Sequence, residues 1–166
     1  VNITRNLVTL GGVVVGLSIL AWNLTRWWAG SKKRSVRDLM PFITCALYGM
    51  LLILTTGGIL GGAADYALWG SSEIGNAALT YGVGAGTPNV TRSTDLVLTD
   101  GGSAVVIVAT VVLVAVWTRK RGFRWDFALD IVCGISLGLS SGIAGAVGQV
   151  LGPVVNTSGD WIVGLM

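Results

Sequence analysis

Residues Ile131–Gly152 read IVCGISLGLSSGIAGAVGQVLG, a hydrophobic run that holds six glycines. Gly134, Gly138 and Gly142 fall four apart, and Gly148 and Gly152 repeat the spacing. Residues four apart share one helix face, so the first three form a strip without side chains. In water such a helix is poor, because each glycine costs ~1 kcal/mol relative to alanine. In lipid, small residues at this spacing let two helices approach closely and pack by van der Waals contact. The run therefore predicts a transmembrane helix with a flat groove for a partner. Gly145, Gly148 and Gly152 turn away from the first strip, so the helix offers glycine on more than one face.

The whole chain fits that setting. Of its 166 residues, 52% are hydrophobic and only 11% charged, against about 25% charged in a soluble domain. Its mean hydropathy is +0.75. There is no histidine, so the commonest metal ligand and proton shuttle are missing. Cys45 and Cys133 lie inside apolar runs and read as small hydrophobes. Val1 is either a GTG start read literally or the end of a trimmed chain. The first apolar run is as long as a membrane span and leads into aromatics and a basic cluster, unlike a signal peptide.

The predicted fold is an all-α integral membrane protein. Four transmembrane helices form two helical hairpins with a long extracytoplasmic segment between them. The first hairpin covers 1–64, with spans at 7–29 and 39–64 and a basic loop at 30–38. A Gly/Ser/Thr-rich segment follows at 65–102, where 67–81 could lie as a short helix on the membrane. The second hairpin covers 103–155, with spans at 103–117 and 127–155 and a basic loop at 118–126. Residues 156–166 form a tail. The spans suit ~30 Å of hydrocarbon, except that 103–117 is short and is expected to extend at both ends or sit in a thinned bilayer. Pro41 falls in the first turn of the second span, where a missing N–H matters little.

Charge orients the chain. Nine of the eleven basic residues fall in or beside the two loops: Arg26, Lys32, Lys33, Arg34 and Arg37, then Arg119, Lys120, Arg121 and Arg124. Short basic loops stay cytoplasmic, so both termini and the middle segment are expected outside. Both hairpins then have the same orientation. At an offset of 88, Ile43-Thr44-Cys45 lies over Ile131-Val132-Cys133, which suggests a parallel duplication or convergence on hairpin chemistry.

Further glycine pairs four apart are Gly12/Gly16, Gly57/Gly61 and Gly58/Gly62. Together with Gly134, Gly138, Gly142, Gly145, Gly148 and Gly152 they are the candidate packing residues, serving either self-assembly or contacts within one bundle. The basic residues set topology. They are also candidates for contact with anionic lipid or with nucleic acid phosphates, where Trp27, Trp28, Phe123 and Trp125 could stack on bases or anchor the interface. Asp130 is the one acid near a span interior, and intramembrane carboxylates are functional candidates by default; Arg124 is its expected ion partner. Asn2, Asn89, Asn156 and Asn23 open Asn-X-Ser/Thr triplets. There is no P-loop, nucleophile–base pair, metal cluster or cofactor motif, so no enzyme activity is expected.

Each hairpin, Leu7–Ala64 and Ser103–Val155, resembles in layout the pilins of conjugative type IV secretion systems, small Gly- and Ala-rich proteins with two hydrophobic helices joined by a short basic loop. The chain departs from that pattern in carrying two hairpins and a long outer segment. The resemblance implies a non-enzymatic membrane subunit that self-assembles into a pore, tube or export channel, with lipid among its copies and other membrane-complex subunits as partners. Two alternatives stand beside it: a holin-like lesion-former, and a small transporter or ion channel that would depend on Asp130 or Gln149. Low lysine and abundant Val, Ala, Gly and Trp suggest a GC-rich bacterium.

Overall fold

Thr9 sets the entry to the first helix. Its backbone is extended (φ −90°, ψ 154°) and its hydroxyl accepts from the Gly12 N–H at 3.3 Å, the standard way to satisfy a free donor at a helix start. From there α1 runs over Leu10–Ala29, followed by α2 (Val36–Leu54), α3 (Gly58–Ala77), α4 (Asp100–Arg119), α5 (Trp125–Gly138) and α6 (Ile143–Gly164). The fold comes from a computed structural model, and the residues described are 8–30, 36–55, 58–86, 89–90, 98–119, 125–138, 140 and 143–165. Apart from a two-residue antiparallel pairing, Val8 with Val90 and Thr9 with Asn89, the described regular structure is helical.

Two helices, Leu10–Ala29 and Asp100–Thr118, are long and apolar enough to cross a membrane. The third expected crossing, as predicted, extends at both ends to give α4. The second and fourth expected spans are not single helices. Leu39–Leu54 and Gly58–Val83 would count together as one further crossing, but they meet at a bend of 108°. The run 127–155 divides between α5 and α6. Against the four spans read from hydropathy, the described residues hold two helices that pass as crossings, or three with the bent pair.

The breaks share a local mark. Thr55 returns both its N–H (3.1 Å) and its hydroxyl (2.6 Å) to the carbonyl of Leu52. Ser140 does the same to Leu137, at 3.1 and 2.9 Å. The hydroxyl bond alone does not end a helix, since Thr25, Thr44 and Ser71 make it inside unbroken ones; the mark of these two ends is the N–H turned back three residues to the same carbonyl. Gly58 then starts α3 with a φ of +70°. Segment 67–81 is not a separate surface helix: it belongs to α3 and a π-helical turn, Ala78–Val83, and Leu68, Ser71, Ser72 and Gly75 are buried. Pro41 lies a turn deeper than expected, since α2 starts at Val36.

The two halves share several matching contacts. Thr9, Gly11 and Gly12 recur ninety residues on as Thr99, Gly101 and Gly102. Thr99 likewise accepts the N–H of Gly102, at 3.1 Å. In the first half Gly11 packs on Gly75 and Asn76, and Gly12 on Ser72. In the second Gly101 packs on Gly159 and Asp160, and Gly102 on Asn156, so Ser72, Gly75 and Asn76 recur 84 residues on. Between the halves α2 and α5 lie side by side, with Ala46 against Gly134 and Met50 against Gly138, each pair separated by the offset of 88 that aligns Cys45 with Cys133. These contacts align α1, α2 and α3 with α4, α5 and α6, although α1 packs closely on α5 whereas α4 barely touches α2.

Apolar burial concentrates between the halves. Cys45, Leu54, Val106, Cys133, Ser136 and Leu137 are the most enclosed side chains. The outside is apolar too. On α4, Ile107, Val108, Val111, Val112, Val114 and Val116 are all exposed, a surface far better suited to lipid than to water.

Candidate functional site

Asp130 sits one turn into α5 and is 4% exposed. A buried carboxylate needs hydrogen bonds or a counter-charge. α1 supplies the first: the Asn23 side-chain amide donates to the Asp130 Oδ1 at 3.1 Å and to the Ile19 carbonyl at 3.1 Å. One turn along, Arg26 Nη1 stands 3.7 Å from Asp126 Oδ1. This is an exposed pair and therefore contributes little to stability. Asp126 and Asp130 both line two adjoining clefts of about 340 and 330 Å³, which they share with Asn23 and Arg26. Trp27, Phe42 and Phe127 wall the first cleft, and Trp22 and Leu129 the second. Arg124, the expected partner of Asp130, lies outside the described residues.

A line of polar groups continues from Asp130 along the seam where α1, α5 and α3 meet. Cys133 donates its thiol to the Gly16 carbonyl at 3.2 Å. Ser136 donates to the Ser71 hydroxyl at 2.9 Å, and Ser71 to the Leu68 carbonyl at 2.9 Å. Beyond them Ser72 Oγ and Asn76 Oδ1 are buried without a hydrogen-bond partner among the described residues. Asp126, Asp130, Cys133 and Ser136 are spaced three and four apart, so they share one face of α5.

The second half holds other residues at these places. The counterparts of Asn23, Asp130, Ser136 and Ser71, at the offsets given above, are Leu113, Phe42, Tyr48 and Val155. Tyr48 and Val155 are buried in the main core, and Leu113 packs against it. Tyr48 reaches Thr110 on α4 through its hydroxyl, at 2.7 Å. At these places the second half is the less polar one, although Tyr48 bonds Thr110 there, and α4 touches α2 far less than α1 touches α5.

The glycines picked from spacing are used in several ways. Gly12 and Gly16 face Ser72 and Leu137, Gly61 faces the Thr55 carbonyl, and Gly134 and Gly138 face α2. Gly58 and Gly62 meet nothing within 4 Å. Gly152 is buried on α6, which also carries Gly145 and Gly148. Gly57 and Gly142 lie outside the described residues, so the strip Gly134–Gly138–Gly142 is seen only as far as the helix end at Gly138. Of the basic residues, Arg26 pairs with Asp126, Arg37 opens α2 and Arg119 closes α4. Lys32, Lys33, Arg34, Lys120, Arg121 and Arg124 lie outside the described residues. Gln149 is exposed on α6, which is not among the helices of the seam.

Spacing alone missed the closest approaches, at Gly11, Gly49, Gly75, Gly101 and Gly159, and the seam residues Ser71, Ser72 and Asn76. The repeated Thr-x-Gly-Gly at 9–12 and 99–102 was the available signal for the first group. No family model, curated protein or solved structure matches the chain.

Proposed function

We propose that the chain is a four-span membrane protein of two parallel repeats that acts as a small transporter or ion channel. Its path is the polar seam that begins at Asp130. Both basic loops lie on the cytoplasmic side and the middle segment outside, in keeping with the charge bias. The second and fourth crossings are the broken pairs α2–α3 and α5–α6. Interrupted helices at corresponding positions of two repeats are a recurrent mark of a transport site.

One observation carries this reading. The buried Asp130 carboxylate is held by the Asn23 amide and opens to two clefts, while the matching places of the second half hold Leu113 and Phe42. Polar groups inside a membrane bundle are expensive and mark ion or substrate pathways. The test is flux through liposomes containing the purified protein. Wild type should pass at least one ion or small solute, and Asp130→Asn should reduce that flux about tenfold or more. Equal flux with Asp130→Asn would contradict the assignment.

A second reading, the self-assembling pore or conjugation-type channel in contact with anionic lipid, keeps one specific support. Gly58 and Gly62 face open space and could receive a helix of another copy. Replacing Gly62 with leucine should then reduce the native particle size; an unchanged size would count against it. A holin-like protein would give the same change, and arrest of growth on expression would separate it from a pilus-like subunit.

A further inference from the structure

We infer that the ion moved along this seam is the proton, with Asp130 as its acceptor in the cleft and Ser136–Ser71 as the narrowest step. The inference rests on the transport reading above. The width of the seam decides the matter. Ser136 and Ser71 touch directly through a 2.9 Å hydrogen bond, which leaves no room for a cation with its ligands. Next to them α1 closes down: a Cβ at Gly16 would come within 2.9 Å of Leu137 Cγ and 3.2 Å of Ser136 Cβ. A proton needs no such room, because it passes by exchange of covalent and hydrogen bonds.

The groups are of the right kind. Asp130 opens to two clefts, where a carboxylate oxygen can take a proton from water and become a neutral acid, easing its burial. Farther along, water between Asp130 and Ser136 carries the proton to the Ser136 oxygen. Ser136 gives its own hydroxyl hydrogen to Ser71, and Ser71, whose hydroxyl rests on the Leu68 carbonyl at 2.9 Å, turns from it to give its hydrogen onward through water toward Ser72 and Asn76. Each serine ends with the number of hydrogens it began with. Ser72 Oγ and Asn76 Oδ1 both lack a donor in the described structure, and Ser72 is 6% exposed. Orphaned acceptors in so enclosed a place call for water or a proton. Among the described residues, the charged and titratable groups around Asp130 are Arg26 from α1, Asp126 and Cys133 on α5, and Cys45 from α2.

The experiment uses the full chain in liposomes loaded with a pH-sensitive dye. A potassium gradient with valinomycin sets the voltage, and parallel samples follow sodium, potassium and chloride. The wild type should acidify or alkalinise the interior in step with the voltage and pass none of the other ions. Asp130→Asn should cut proton flux about tenfold or more, and Asp130→Glu should restore part of it. Ser136→Ala should cut it severalfold, whereas Val155→Ala, at the place in the other half that matches Ser71, should leave it unchanged. Size-exclusion profiles check that each variant is folded. Asp130-dependent flux of another ion without proton flux would overturn the inference and leave the transport reading standing. No flux of any ion or solute from folded wild-type protein would overturn both. Proton flux insensitive to Ser136→Ala would overturn the path.

Discussion

Gly134→Leu should lower the thermal midpoint by about 10 °C or more. The position faces the Ala46 backbone of α2, and a Cβ there would collide with the Ala46 carbonyl. Gly49, on the opposite helix, meets the Ile131 carbonyl in the same way. The contact between α2 and α5 is thus backbone on backbone, with no flexible side chain to give way. Overpacking an ordinary core costs ~1–3 kcal/mol; a leucine forced between two backbones lies at or above that upper end. For a chain of this size such a loss lowers the thermal midpoint by about 10 °C, and because the contact joins the two repeats, the damage is global. Gly70→Leu is the control, since a side chain there meets nothing within 4 Å. It should hold the midpoint in detergent within about 2 °C of wild type. A well-folded Gly134→Leu protein with an unchanged midpoint would remove the α2–α5 contact from the fold.

The second large effect should come in a matched pair. Gly75 lies against the backbone of Gly11, and Gly159 against that of Gly101. If the halves are two copies of one unit, Gly75→Val and Gly159→Val should destabilise to a similar extent. Each forces the two methyls of a β-branched side chain into a closed helix crossing, at ~1–3 kcal/mol or more. Thermal midpoints measured side by side decide this. A large drop for one and none for the other would mean that the crossings are not equivalent.

Much of this was legible in the residues, and the physics explains what was not. Hydropathy finds α1 and α4 because both are straight, apolar and bordered by charge. It cannot find the helix ends at Leu54 and Gly138, since the apolar character of the sequence continues past them. Asp130 was visible as a lone acid in an apolar run. Its partner Asn23 was not, because 107 residues separate them and only the antiparallel packing of α1 and α5 joins them. Glycine spacing marked faces without naming what covers them. Gly134 and Gly138 proved to face α2 of the same chain, while Gly11, Gly75, Gly101 and Gly159 are isolated close approaches outside the four-residue pairs that were picked. The likeness of the two halves left a trace at Ile43-Thr44-Cys45 and Ile131-Val132-Cys133. Its full extent was hidden because the offset shifts from 90 to 88 to 84 between helices.

The claim beneath all of this is a membrane bundle of two repeats with the same orientation. Single cysteines at Ser31, Arg121, Ser93 and Ser158, each in a Cys45→Ala, Cys133→Ala background, test it in intact cells with a membrane-impermeant thiol reagent. Ser93→Cys and Ser158→Cys should be labelled from outside, and Ser31→Cys and Arg121→Cys only after permeabilisation. Labelling that puts Ser31→Cys and Arg121→Cys on opposite sides of the membrane would contradict the parallel arrangement and the transport path built on it.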